Sequence, residues 1–170
     1  MMYLYHFVPK KMVGTILYPL NTLRNTLPEV FKQQSKKYQD REGVKETEIP
    51  GLGKWNDVIH LSPIEPSETR QALQDADLVK DPPWKVFCIN ANMLDKSRLI
   101  IKAIVNNKDV YLPFTEENYA NHCHLPGRTK AYYRECIEEG RQILIYGYAP
   151  HVLYGGTIDV AKTEIREYSN

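Results

Sequence analysis

Tyr3-Leu4-Tyr5-His6-Phe7-Val8, closed by Pro9, is the stretch on which the fold turns. Aromatic and aliphatic residues surround one histidine. The run is too apolar to remain a solvated tail, so it predicts a strand paired into a sheet. Alternation along a strand puts Leu4, His6 and Val8 on one face and Tyr5 and Phe7 on the other. His6 therefore points where two aliphatic side chains point. Its ring nitrogens need a partner there, from the protein or from a ligand.

Beyond Pro9, Met12, Val13, Ile16 and Leu17 recur at helical spacing, so residues 10–17 read as a short amphipathic turn or helix, weakened by Gly14. Tyr18-Pro19 breaks that pattern, because a residue before proline is pushed out of the helical region. Asn25 or Thr26 can then cap a helix running to about Tyr38, with Pro28 and Glu29 in its first turn. Leu27, Val30, Phe31 and Gln34 face inward, while Lys32, Lys36, Lys37 and then Arg41 make a basic face, either solvated or turned to phosphate. Residues 39–54 read as a turn-rich loop without a GxGxxG or Walker pattern.

A second strand is expected over 58–62, with His60 and Ser62 side by side on the face that carries Val58. Pro63 and Pro66 start a helix through Glu68 to about Ala76, and Asp81-Pro82-Pro83 is a stiff connector. The run 84–90 reads as a central strand covered on both faces. Residues 99–105 and 110–112 flank an Asn106–Asp109 turn, as two strands or as a helix followed by a strand. Thr115 starts a short helix, and Gly127 opens another over 128–139 that Gly140 ends. Residues 142–148 and, after Gly155-Gly156, residues 157–160 read as the last strands. This order predicts an α+β fold in one domain spanning residues 1–170.

Composition narrows the function classes. Among 170 residues, 42% are hydrophobic and 25% charged, and the net charge of +1 supplies no global field for nucleic acid or membrane. Three cysteines, Cys88, Cys123 and Cys136, have no paired spacing, no signal-peptide pattern is present, and no apolar run approaches the roughly 18 residues of a membrane span. A cytoplasmic protein with free thiols is expected.

Three clusters carry polar chemistry. His122-Cys123-His124 with Cys136 lacks both the CxxC and the helical His-pair spacing of metal sites, so no metal is expected. His60 and Ser62 share a face, but no GxSxG elbow surrounds the serine; a hydrolase would require the two side chains within hydrogen-bond reach. Glu138 and Glu139 close a helix at its C-terminus, where the macrodipole disfavours negative charge.

Leu4-Tyr5-His6-Phe7 followed by Thr15-Ile16-Leu17 resembles the first strand and helix of the ADP-ribosyltransferase-like superfamily, in particular the bacterial DNA-directed ADP-ribosyltransferase toxins. Gln142-Ile143-Leu144-Ile145-Tyr146, Ala149-Pro150 and Thr157-Ile158-Asp159-Val160 are similar to that family's catalytic-residue strand and following hairpin. The resemblance implies a two-sheet core with peripheral helices, NAD as cofactor, and transfer of ADP-ribose to a macromolecular acceptor. It implies His6 as the histidine that holds a ribose hydroxyl and Tyr18 as the aromatic on nicotinamide, with His60 and Ser62 beside them. The family's glutamate position is occupied by Gln142, which keeps hydrogen bonding but has no charge to oppose an oxocarbenium-like centre. Glu139, one turn away, is the carboxylate that could stand in. The alternative is a non-catalytic module on the same fold, binding a nucleotide, nucleic acid or protein.

Overall fold

In the computed structural model, residues 1–36, 42–78 and 82–169 are described. In chain order they form β1 (Tyr3–Phe7), β2 (Ile16–Leu17), α1 (Leu20–Thr26), α2 (Pro28–Ser35), α3 (Glu42–Lys45), β3 (Glu48–Ile49), β4 (Gly53–Lys54) and β5 (Ile59–Leu61). Then follow α4 (Pro66–Gln74), β6 (Trp84–Asn90), β7 (Leu99–Val105), β8 (Lys108–Pro113), α5 (Glu116–His122), α6 (Gly127–Glu138), β9 (His151–Tyr154), β10 (Ile158–Asp159) and β11 (Glu164–Tyr168).

The fold is mixed α+β, and its described strand pairings are antiparallel. One sheet has the order β1-β6-β11 and the other β5-β9-β7-β8. β6 sits in the middle of the first sheet with four successive buried residues, the pattern of a strand covered on both faces. The 99–112 run resolves into two strands, because Asn106 and Asn107 take positive φ values of 50° and 59° and close a two-residue hairpin. Thr115 caps α5 by accepting the Asn118 N–H at 3.1 Å, and Gly140, at φ 63°, follows the end of α6 as expected.

The two sheets meet edge to edge. The Tyr5 N–H donates to the Ser62 carbonyl at 2.8 Å and the Ser62 N–H returns to the Tyr5 carbonyl at 2.9 Å, an isolated antiparallel bridge between β1 and the end of β5. Beneath it lies a core drawn from both sheets: Leu4 from β1, Phe87 and Ile89 from β6, Ile59 and Leu61 from β5, Ile101 from β7 and Val152 from β9. A second cluster joins Leu73 of α4 to Tyr132, Tyr133 and Cys136 of α6.

Several sequence expectations are corrected. Residues 10–17 form no helix: Gly14 takes φ 73°, and Ile16-Leu17 pairs instead with β10, which the Val160 N–H extends by bonding the Thr15 carbonyl at 2.8 Å. Asn25 and Thr26 do not cap α2, because they belong to the last turn of the unanticipated α1, where Thr26 donates to the Thr22 carbonyl. The 39–54 loop contains α3 and the β3–β4 hairpin. Most consequentially, 142–148 is not a strand. Its backbone is held by α6 side chains instead: the Leu144 N–H donates to the Tyr132 hydroxyl at 3.2 Å and Tyr133 donates to the Ile145 carbonyl. The late strands are β9, β10 and β11. Lys37 and Arg41 of the expected basic face, Tyr38 at the expected helix end, and Asp81 of the connector lie outside the described residues.

Candidate functional site

Past the Tyr5–Ser62 bridge β1 and β5 cease to pair, and the wedge between them is a cavity of 290 Å³. His6 and Phe7 line it from β1, His60 and Ser62 from β5 and its end, His151 from the start of β9, and Tyr146 from the segment after α6. A second chamber of 110 Å³ shares His6, His60 and Gln34 with it. This chamber is walled by Tyr18, by Leu23 of α1, by Leu27 and Val30 at α2, and by Trp55 and Asn56. A split between two sheet edges exposes strand residues that a continuous sheet would hide, so polar side chains from separate strands converge there.

Each polar group is positioned by a specific contact. The His6 Nδ1–H donates to the Phe7 carbonyl at 2.7 Å, which assigns that nitrogen the proton, since a carbonyl can only accept. The His60 Nε2–H donates likewise to the Trp55 carbonyl at 2.9 Å, and the two rings lie 4.3 Å apart. His151 stands 6.4 Å from the His60 ring and 6.2 Å from Tyr146. Burial, helped by the charge of Lys102 directly across the β7–β9 ladder, pushes the His151 pKa down from about 6.5 to about 4, so the ring is neutral at pH 7. Lys102 itself is paired with Asp109 at 2.7 Å and lies 5.8 Å from the Trp55 ring centroid. Burial also raises the Tyr146 hydroxyl pKa, opposed by a hydrogen bond with Ser62. Tyr146 is therefore a neutral donor. Among the described residues, no aspartate or glutamate lines either cavity.

Four of the residues singled out from sequence, His6, Tyr18, His60 and Ser62, come to these two adjoining cavities. The other two do not. Gln142 is exposed on the irregular segment after α6, and Glu139 is the exposed cap of that helix, paired with Arg141. Neither is among the lining residues. The residue that heads the late strand and reaches the cleft is His151. Trp55, Asn56 and Tyr146 were also missed. The signal for His151 was its place at the head of the short apolar run 151–154, overshadowed by the longer run 142–148.

Ser62 is arranged for a turn and not for nucleophilic attack: its hydroxyl donates to the Ile64 carbonyl at 3.3 Å and accepts the Ile64 N–H at 3.1 Å. His122 bonds the Asn118 carbonyl, His124 faces Glu68 at 3.5 Å and Cys136 is buried, and no group of three ligating side chains exists among the described residues. No described helix is long and apolar enough to cross a membrane.

No family model, curated protein or solved structure matches this chain. What the protein binds must be read from the cleft. It offers hydrogen-bonding rings and hydroxyls beside an apolar, aromatic-walled chamber, a combination suited to a flat ring joined to a polyhydroxylated or anionic portion.

Proposed function

We propose that the cleft is a nucleotide-binding pocket of ADP-ribosyltransferase-like character, that NAD or a related nucleotide is its ligand, and that it binds this ligand without transferring ADP-ribose. The observation that carries the reading is the convergence of His6, Tyr18, His60 and Ser62 on two adjoining cavities lined, among the described residues, by no carboxylate. Imidazole rings and the Tyr146 hydroxyl suit ribose hydroxyls, while Tyr18 and Trp55 can flank a planar ring.

The same inventory argues against transfer. An oxocarbenium-like centre calls for a negative charge, and the position that heads the late strand holds the neutral His151. Losing one preorganised electrostatic partner costs about 3 kcal/mol of transition-state stabilisation, roughly a hundredfold in rate. Glu139, exposed and bonded to Arg141, stands outside the lining and supplies no substitute.

Calorimetric titration with NAD and with ADP-ribose tests the proposal. Saturable heat is expected with wild-type protein, weakened about tenfold or more by His6→Ala through the loss of one half-buried hydrogen-bonding partner. No heat and no thermal shift at millimolar NAD would overturn it. Incorporation of label from radiolabelled NAD into protein or DNA would instead restore transfer to a macromolecular acceptor.

A further inference from the structure

Asn56 is an unexplained buried polar residue. It is 7% exposed, it lines the apolar chamber, and its Oδ1 has no hydrogen-bond partner among the described residues. A buried amide oxygen without a partner gives up its hydration and gains nothing in return, so such groups are rare and call for an explanation. Thr69 and Thr129 also carry unpartnered buried hydroxyls, but neither lines the chamber.

The backbone around Asn56 is held in place. Residues Trp55–Asp57 form one 3-10 turn between β4 and β5. Asp57 pins it on both sides: Oδ2 accepts the Lys54 N–H at 2.8 Å and Oδ1 accepts from Asn21 Nδ2 of α1 at 2.6 Å. The Trp55 carbonyl is taken by His60 at 2.9 Å. An acceptor on so constrained a turn cannot easily swing out to water. The chamber it lines is walled by Leu23, Leu27, Val30 and Val58 together with the Tyr18 and Trp55 rings, and none of the described side chains that could donate bonds this oxygen.

We propose that Asn56 is the specificity-determining acceptor of the nucleotide pocket, selecting a flat heteroaromatic ring that carries an N–H donor: the exocyclic amine of adenine or the carboxamide of nicotinamide. This rests on the nucleotide reading above and deepens it. The apolar walls take the ring faces, and the amide oxygen takes the N–H. The neighbouring Nδ2 can donate to an acceptor beside that N–H, the two-point pairing by which asparagine reads adenine. A ring without the N–H leaves the acceptor buried and unpaired, so discrimination comes from what the analogue fails to satisfy.

The test is a set of calorimetric titrations of wild type and Asn56→Ala with two matched pairs, adenosine against purine riboside and nicotinamide riboside against nicotinic acid riboside, with NAD as the common reference. In one pair the N–H-bearing member is expected to bind about tenfold tighter or better, and Asn56→Ala to erase that gap. The pair that responds identifies the ring. The free Asn56→Ala protein should melt no lower than wild type, because the variant removes an unsatisfied group. Asn56→Leu, closer in size, repeats the titrations should the alanine variant fail to fold. If NAD binds but neither pair is distinguished, or the gap survives both substitutions, the role of Asn56 is overturned and the pocket stands. If neither NAD nor any nucleoside binds, both readings fall.

Discussion

His151 shows how much a single residue owes to its surroundings. In sequence it is one of five histidines. In the fold it lies across the ladder from Lys102, with the His60 ring, Trp55 and Tyr146 around it, and its pKa falls to about 4. The unfolded ring takes a proton near pH 6.5, whereas the folded ring resists until about pH 4, so the unfolded state binds more protons throughout that window. Above it the contribution to stability is zero. As pH falls through it, stability is lost, by up to about 3 kcal/mol at the low end. Guanidinium melts at pH 7, 5.5 and 4.5 should show wild type losing more stability than His151→Gln. Parallel losses in the two proteins would contradict the assigned environment.

At the scale of elements, the turn that carries Asn56 depends on a glycine. Gly53 takes φ 99°, and a Cβ there would stand 2.8 Å from Asp57 Oδ2, the atom that accepts the Lys54 N–H. Gly53→Ala therefore meets backbone strain and a clash together and should destabilise the protein by about 1–3 kcal/mol, with ligand affinity falling as the turn shifts. Thermal melting and NAD titration of the variant check both effects. Elements marked by their own apolar run, such as β1 and β6, were legible in the sequence, as were α5 and α6 with their terminal signals. Residues 142–148 were not. Their apolar pattern suits a strand, but Tyr132 and Tyr133 lie one helix away and capture the Leu144 N–H and Ile145 carbonyl before any neighbouring strand does. β9 and β2 are short, and their partners lie far along the chain, so no local pattern marks them.

For the whole molecule, the decisive arrangement is a pair of antiparallel sheets joined at one bridge and sharing one core. Leu4, fully buried on β1, packs in the cluster that also holds Leu61 and Ile101 of the second sheet, so its removal is felt on both sides of the cleft. Leu4→Ala should cost about 2–5 kcal/mol and weaken ligand binding, whereas Leu144→Ala, at a position 39% exposed, should cost well under half as much. Denaturant melts compare the two, and equal costs would refute the shared core. By itself the sequence determined the α+β class, the direction in which His6 points, and the pairing of His60 with Ser62 on one face, because strand alternation is a local property of the backbone. Only the tertiary structure decided that β1 and β5 part after a single bridge, that His151 and not Gln142 reaches the resulting cleft, and that Asn56 lines the adjoining chamber with an oxygen unpartnered among the described residues. Those depend on which distant segments satisfy each other's backbone groups and apolar faces, and no window along the chain contains both partners.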